Sequence, residues 1–403
     1  MRIKAAFLVT RNSSGGIGIG DSIVIMFDDY DEAEDRMKCI VIDGGYSGTA
    51  KVLRDYLGGE NISVIDLVVA THIDDDHVNG LAKFFKDYVE DDGPIKVLNY
   101  WGPAPKSYTP VTITEFLAFL PDAAELKIDD LTFVSQGVAS NEELWESAKK
   151  CVGENHIRHP SVAGSGGLPA LFKSVKIEIL APEEQVASTQ LRSSGLAAAA
   201  LGETFVSEAV IDLAEEGLRA KIAEAAKESD HTANNQSIVF RLTPLDRSGR
   251  ELPDRSFLFP GDAGIESWNS MIDNSPGLLK ARYLKVSHHG SVTGTNEAVL
   301  SAVRPDYGII CAGKNKHGLP DGPVLKLMQD KGVKIICTGR NPKVKKKAKK
   351  DKAKDTLCAS KDYKSHCPRW DGTREIEDPV VFEFDTERPL GAGAASSCGN
   401  TWP

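Results

Sequence analysis

The sequence lacks any long apolar run. Nowhere along its 403 residues does a stretch of apolar residues approach the roughly eighteen that a membrane-spanning helix requires. The run at positions 5–9 is also too short for the apolar region of a secretory signal peptide. The hydrophobic content of 41% and the charged content of 26% are ordinary for a globular protein. We therefore expect a cytoplasmic protein with no membrane partner.

Paired cysteines and an excess of positive charge are also absent. The seven cysteines are odd in number and include no Cys-x-x-Cys pair, which argues against a disulfide framework and against a thiolate zinc site. The formal net charge of −10 argues against binding of a polyanion over the whole surface. Any contact with nucleic acid must therefore be local.

One local candidate for such a contact is a Lys-rich loop at about 342–355. Eight lysines fall between positions 343 and 354, and charge of this density either extends a loop in solvent or binds phosphate groups. In the second case, Lys345, Lys346 and Lys347 are the predicted phosphate contacts. The loop is therefore the predicted route by which nucleic acid would bind.

The clearest chemical signal is the stretch 71–80. It follows a β-branched apolar run at 64–70, which predicts a buried strand. Its side chains would lie at the carboxyl end of that strand, where open α/β layers place their active sites. Five of the six residues from 72 to 77 have side chains that can bind a metal ion: His72, Asp74, Asp75, Asp76 and His77.

A metal site accounts for this stretch better than a helix cap does. Imidazole and carboxylate suit zinc, manganese or iron, and three aspartates this close together repel one another unless a cation is present. The alternative is a polar turn in which Asp75 or Asp76 caps the next helix. A cap needs one aspartate and leaves the two histidines without a role.

Strand and helix periodicities alternate on both sides of a more helical middle part. The predicted helices include 49–57 and 78–88. The predicted strands are 2–9, 22–27, 39–42, 64–70, 96–101, 174–180, 234–242, 256–262, 283–291, 307–311, 333–337 and 380–384. The pattern predicts one domain at 1–390 with a helical insertion at about 110–230, followed by a disordered tail at 391–403.

Several of the later predicted strands end in further metal-capable side chains. These are Asp262, the adjacent pair His288 and His289, and His317. One shared site explains them better than separate accidents. In the adjacent pair, one imidazole can bind a metal ion while the other faces substrate. Asp43, at the end of the strand 39–42, is expected to orient a ligand.

The motifs and their order resemble those of the metallo-β-lactamase superfamily, and most closely the hydrolase domain of ComEC-type DNA-uptake proteins and their stand-alone relatives. The resemblance covers about residues 1–110 and 230–340. It rests on His72-x-Asp74-x-Asp76-His77, Asn234-Asn235-x-Ser237, Gly261-Asp262 and His288-His289-Gly290-Ser291, together with Gly20-Asp21-Ser22 and Ile42-Asp43-Gly44-Gly45.

This resemblance implies an α/β fold, a four-layer αββα sandwich of two mixed β-sheets with the metal site at one edge. It implies one or two divalent ions, Zn²⁺ or Mn²⁺, and the oxygen-rich ligand set extends the choice to Mg²⁺. The implied ligands are His72 and Asp74 at a first position, Asp76, His77 and His288 at a second, Asp262 between them, and His231 as a substitute for the usual third-motif histidine.

The implied activity is hydrolysis by a metal-bound hydroxide, with a phosphodiester as substrate, as in a nuclease or a nucleotide phosphodiesterase. Asp76 would orient the hydroxide, and His289 or His317 would contact the oxyanion or protonate the leaving group. Asn235 is a further predicted substrate contact. Two alternatives stay open: hydrolysis of a small ester, lactone or thioester, and a non-catalytic scaffold or sensor.

Overall fold

The structure is a computed structural model, and it describes residues 1–30, 36–104, 111–112, 132–133, 136–163, 170–183, 234–315, 317–341 and 377–388. In chain order the strands are β1 (Arg2–Phe7), β2 (Ile23–Phe27), β3 (Lys38–Ile42), β4 (Val64–Ile65), β5 (Leu67–Val69), β6 (Lys96–Val97), β7 (Tyr100–Trp101), β8 (Val111–Thr112), β9 (Thr132–Phe133), β10 (Ile157–Arg158), β11 (Val175–Ala181), β12 (Val239–Pro244), β13 (Phe257–Phe259), β14 (Tyr283–Lys285), β15 (Tyr307–Ile310), β16 (Lys334–Cys337) and β17 (Val380–Asp385). The helices are α1 (Thr49–Gly59), α2 (Asp75–Tyr88), α3 (Gln136–Val152), α4 (Ile265–Asn274), α5 (Glu297–Val303) and α6 (Gly322–Asp330).

The first sheet has the strand order β10-β7-β5-β3-β2-β1-β17 among the described residues. Strands β1, β2 and β3 pair antiparallel, and β17 pairs antiparallel with β1. The pairs from β3 through β5 and β7 to β10 are parallel. Parallel neighbours need crossover connections, which α1 supplies between β3 and β5 and α2 between β5 and β7.

The second sheet has the order β11-β12-β13-β14-β15-β16 in the same part of the chain. Its first three strands pair antiparallel, and β13 to β16 pair parallel. Helices α4, α5 and α6 connect the successive parallel strands. The carboxyl ends of β13 and β14 therefore open at one edge of this sheet, as that of β5 does in the first.

The two sheets pack face to face with helices on both outer faces. The side chains of β1 face both layers. Ile3, Ala5 and Phe7 belong to the core between the sheets, whereas Ala6 belongs to the core beneath α1, α2 and α3. A third apolar cluster joins the second sheet to α4, α5 and α6. Successive side chains on a strand point to opposite faces, so a strand buried on both faces reads as nearly continuous apolar sequence. The predicted αββα sandwich of two mixed sheets is confirmed.

The predicted insertion at 110–230 contains elements that belong to the layers themselves. Helix α3 packs in the outer helical layer, and β11 is a strand of the second sheet. Much of the remaining insertion, the Lys-rich loop 342–355 and the tail 391–403 lie outside the described residues. In the part of the chain that the structure describes, no helix is both long and apolar enough to cross a membrane.

A close backbone contact holds the start of α2 against the loop after β3. The amide of Gly80 donates to the carbonyl of Gly45 over 2.7 Å, and the amide of Gly44 donates to the carbonyl of His77 over 2.8 Å. A Cβ atom on Gly80 would lie only 1.8 Å from the Gly44 carbonyl oxygen. The helix can approach this loop only because residue 80 has no side chain.

Gly80→Ala is therefore expected to destabilise the fold by about 1–3 kcal/mol and to displace the loop after β3 from α2. Chemical denaturation monitored by circular dichroism measures the change. The matched control is Gly58→Ala in α1, where an added Cβ meets nothing within 4 Å and alanine has the better helix propensity. Equal stability of the Gly80→Ala variant and the wild type would contradict the steric argument.

Candidate metal centre

The loop between β5 and α2 presents its acidic side chains without using them as helix caps. Asp74 occupies the N-cap position of α2, but its side chain makes no capping hydrogen bond. Instead, its Oδ2 lies 3.4 Å from Nε2 of His72. Asp75 and Asp76 form the first turn of the helix. The arrangement therefore favours the metal-site interpretation over the capping turn.

His77 is held in one orientation by a buried carboxylate from the neighbouring strand. Its Nδ1 lies 2.8 Å from Oδ2 of Asp43, which follows β3 in a left-handed conformation with φ 55°. Asp43 also accepts hydrogen bonds from the amide and the hydroxyl of Thr71, both at 2.7 Å. A carboxylate at Nδ1 favours the proton there and leaves Nε2 free for a cation. The structure thus places Asp43 where the sequence predicted an orienting residue.

The loop after β14 directs His289 into the same cluster. Its Nδ1 lies 2.9 Å from the carbonyl oxygen of Cys311, and its Nε2 lies 3.1 Å from Oδ2 of both Asp76 and Asp262. The side chain is buried. The sequence assigned His289 to substrate, but the structure brings it into the group of potential ligands.

His288 lies at the rim of the cluster, although the sequence assigned it the ligand role. Its side chain is partly exposed, and its Nδ1 is 3.0 Å from the hydroxyl of Thr293. Both histidines have left-handed backbones, with φ values of 47° and 49°. This local turn determines which imidazole faces the cluster. The alternation of side chains between two faces holds for extended strands and does not apply to a left-handed turn.

Three imidazoles and three carboxylates converge in this cluster. Nε2 of His77 lies 3.4 Å from Nε2 of His289 and 3.5 Å from Oδ1 of Asp262. The rings of His72 and His77 are 4.0 Å apart. One set of three potential ligand atoms, from His72, His77 and Asp262, fits within 4.8 Å, and a second set comes from Asp21, His77 and His289.

These residues fit a divalent cation. Nε2 of His72 is buried and has no hydrogen-bond partner within the described residues, and an orphaned polar atom at such a site is costly unless a cation or solvent occupies its open side. Nitrogen and carboxylate oxygen are the ligands that zinc and manganese share. The structure thus supports the donor chemistry expected from the sequence.

The charges in the cluster perturb one another strongly. Although burial opposes ionisation, His77 and His289 hold the pKa of Asp76 below its usual value. Burial likewise opposes the charged form of His289, but Asp262 and Asp76 raise the pKa of its imidazole to about 10. The pKa of His77 is raised in the same way, by Asp262, Asp43 and Asp21 against the effect of burial. Without a cation, protons on these imidazoles balance the carboxylates.

Cation binding is therefore expected to release protons. The ligand imidazoles must be neutral to bind, so below a pKa of about 10 for His289 the apparent cation affinity should rise with pH, about tenfold per pH unit for each proton displaced. Calorimetric titration with Mn²⁺ at several pH values, in buffers of different ionisation enthalpy, counts the protons. An affinity that stays constant between pH 6 and pH 8 would contradict this coupling.

Asp21 and Lys285 belong to the cluster, but neither was assigned a role at the site from the sequence, although Asp21 lies in one of the motifs that carry the resemblance. The amide of Asp21 donates to the carbonyl of Asp76 over 3.2 Å, and a Cβ on the preceding Gly20 would lie 2.5 Å from that same oxygen. Lys285 ends β14 and is buried. A lysine at a buried strand position was the signal available in the sequence, because lysine is almost never fully buried without a partner.

The remaining predicted site residues lie elsewhere. Asn235 binds the start of α4, where its Nδ2 donates to Oε2 of Glu266 over 2.9 Å and its Oδ1 accepts from the amide of Ser267 at 3.3 Å. His317 is exposed, on the loop after β15. His231, Lys345, Lys346 and Lys347 lie outside the described residues.

Comparison with known proteins matches part of the chain to the expected superfamily. A family model described as "Metallo-beta-lactamase superfamily" matches residues 33–146. The chain is 32% identical over 109 residues to ComE operon protein 3 of Bacillus subtilis (strain 168), a match that covers 27% of this chain and 13% of that protein. It is 29% identical over 84 residues to competence protein ComA of Neisseria gonorrhoeae, covering 21% of this chain and 12% of that protein. The resemblance predicted from the motifs is confirmed, over a minor part of each relative's length.

Two solved structures align over most of the chain at low identity. The metallo-beta-lactamase fold protein YhfI from Bacillus subtilis aligns with a TM-score of 0.38 at 10% identity, over 83% of this chain and 95% of that one. A long form RNase Z from yeast aligns with a TM-score of 0.34 at 11% identity, over 88% of this chain and 40% of that one.

Proposed function

Since residues 33–146 match the model of the metallo-beta-lactamase superfamily, we propose that the protein is a metal-dependent hydrolase and that its substrate is a phosphodiester. The observation that carries the proposal is the buried cluster at the edge of the two sheets, where three imidazoles face carboxylates and Nε2 of His72 has no hydrogen-bond partner among the described residues. The residues that would hold a divalent cation are His72, His77, His289, Asp76 and Asp262. Once bound, the cation supplies Lewis acidity and lowers the pKa of water.

The chain's own residues hold this site in place before any substrate arrives. Asp43 fixes the ring of His77, and the carbonyl of Cys311 fixes the ring of His289. Prearranged ligands and dipoles need not reorganise during the reaction, which is how enzymes lower the barrier for charge development. The open side of the cluster lies towards Asp74, whose side chain is 36% exposed.

His288 is the residue best placed to contact substrate at this rim. Its imidazole is partly exposed and lies beside the hydroxyl of Thr293, whereas His289 is committed to the cluster. An imidazole next to the cluster can donate a hydrogen bond to a developing oxyanion or a proton to a leaving group. We therefore transfer to His288 the substrate role that the sequence had assigned to its neighbour.

The phosphodiester preference is supported by the resemblance to ComEC-type DNA-uptake proteins and by the lysine tract at 343–354. A substrate screen tests it directly. Purified protein loaded with Mn²⁺, Zn²⁺ or Mg²⁺ should hydrolyse bis-p-nitrophenyl phosphate or single- or double-stranded DNA. Turnover of a lactone or thioester with none of the phosphodiesters cleaved would reject the phosphodiester assignment. Failure to take up any of the three cations would favour the scaffold alternative.

Deletion of 343–354 tests the contribution of the lysine tract to nucleic-acid binding. Because the tract carries eight lysines, its loss should weaken binding to single-stranded DNA most at low salt and flatten the dependence of affinity on salt concentration. Fluorescence anisotropy at several salt concentrations measures both effects. Hydrolysis of bis-p-nitrophenyl phosphate should be unchanged in the deletion variant. Identical salt dependence in both proteins would indicate a solvated loop.

A further inference from the structure

Lys285 is a buried ammonium group beside the cluster, and the proposed hydrolysis does not use it. Its side chain is 1% exposed. Its Nζ lies 2.6 Å from Oδ2 of Asp21, 2.9 Å from Oδ1 of Asp262 and 2.8 Å from the carbonyl oxygen of Gly261. These three acceptors match the three N–H donors of an ammonium group. Because every N–H donor has an acceptor, these contacts hold the ammonium group in this position.

The three oxygens around Nζ form a cation site. Two carboxylates and a backbone carbonyl are the oxygen ligands that hard divalent ions take in proteins. Nζ of Lys285 lies within hydrogen-bonding distance of all three oxygens, so the ammonium already supplies the positive charge at this position.

Asp262 is shared between this position and the imidazole cluster. Its Oδ1 contacts Nζ of Lys285, and its Oδ2 faces Nε2 of His289 at 3.1 Å. A carboxylate in this place has a cation on one side and metal-competent imidazoles on the other. The sequence left open whether one or two ions bind, and the position of Lys285 bears directly on that choice.

We propose that the ammonium of Lys285 is a built-in cation that fills one of two cation positions flanking Asp262, so that the protein takes up a single exchangeable divalent ion on the side of His72, His77 and His289. A second divalent ion close to Nζ would meet unscreened repulsion in a buried, low-dielectric place. The inference rests on the proposed metal-dependent function, because it assumes that the imidazole side binds a cation.

Removal of the ammonium should open the second position. Lys285→Ala leaves the carboxylates of Asp21 and Asp262 without their shared cation and vacates the space of the side chain. After equilibration with Mn²⁺ and removal of free ions, elemental analysis should find about one equivalent in the wild type and about two in Lys285→Ala. Thermal unfolding should show that added Mn²⁺ stabilises the variant more than the wild type, because a cation then replaces the lost ion pairs.

A double variant distinguishes a cation-binding position around Lys285 from an ion pair that only stabilises the fold. In Lys285→Ala with Asp21→Asn, one carboxylate of the vacated position is gone, so the metal content should return to about one equivalent. A structural role alone would lower stability in Lys285→Ala and leave the metal content at one. If Lys285→Ala folds only when Mn²⁺ is present and then holds two equivalents, the proposal also stands.

Two results would overturn the inference while leaving the proposed function intact. One is a wild-type protein that binds two equivalents with Lys285 present. The other is a Lys285→Ala variant that binds one equivalent, or that stays unfolded in Mn²⁺. A wild-type protein that binds no cation at all is distinguishable from both, since it would contradict the metal-dependent function itself.

Discussion

Asp262→Asn is expected to lower turnover by about 10²- to 10³-fold or more while the protein stays folded. Asp262 contacts His77, His289 and Lys285, and an amide of the same shape removes the negative charge that these groups surround. Lys285 keeps Asp21 and the Gly261 carbonyl as partners. The stability loss should therefore fall below the roughly 3–5 kcal/mol that breaking a buried ion pair costs when no partner remains.

Three quantities are measured for this variant: its steady-state kinetics on the substrate identified in the screen, its metal content and its thermal unfolding. Asp306→Asn is the matched control, because Asp306 pairs with Arg282 and its side chain is 56% exposed. The control should keep wild-type turnover and metal content. Activity that falls only in proportion to the folded fraction of Asp262→Asn would show that Asp262 acts through stability alone.

We expect His289→Ala to weaken metal binding much more than His288→Ala does. Nε2 of His289 faces Asp76 and Asp262, so its loss should weaken cation binding by about 100-fold or more. His288 contacts Thr293 at the rim, so its loss should leave cation affinity within about tenfold of the wild type and act mainly on kcat. Competition with a fluorescent chelator gives the affinities, and saturating metal allows the kinetic comparison.

Each histidine variant is the control for the other, because the two are adjacent and carry the same substitution. His288→Gln adds a polar side chain that can still donate a hydrogen bond, and part of the kcat lost in His288→Ala should return. The opposite pattern, with tight binding lost in His288→Ala and kept in His289→Ala, would restore the ligand assignment expected from the sequence and contradict the observed loop conformation.

Much of the fold could be predicted from local patterns. Short alternating or continuous apolar runs bounded by turn residues predicted β1, β2 and β3, and α1 and α2 begin within three residues of their predicted starts. The strand predicted at 96–101 is interrupted, because β6 pairs with β4 while β7 joins the first sheet. A change of pairing partner within one apolar run depends on distant chain segments, so periodicity cannot reveal it.

Part of the candidate site could likewise be predicted from local sequence, and part could not. The types of ligand and their grouping at 72–77 follow from local sequence, since His72 and His77 flank a run of aspartates at the end of a strand. Asp43 was also predicted, from its place after β3. Which residues lie against Nε2 of His77 could not be derived, because one of them, His289 at 3.4 Å, comes from a position 212 residues away.

The sequence by itself predicted the resemblance to the metallo-β-lactamase superfamily, and through that resemblance the two mixed sheets. Residue types and their short-range spacing predicted the nitrogen and oxygen donors at 72–77. Tertiary structure alone decided that His289 and not His288 enters the cluster, through two left-handed residues after β14. It also decided that Asp21, from the start of the chain, and Asp262, from the second sheet, share the ammonium of Lys285. Backbone turns and the packing of two sheets bring these groups together, and neither leaves a periodic mark in the sequence.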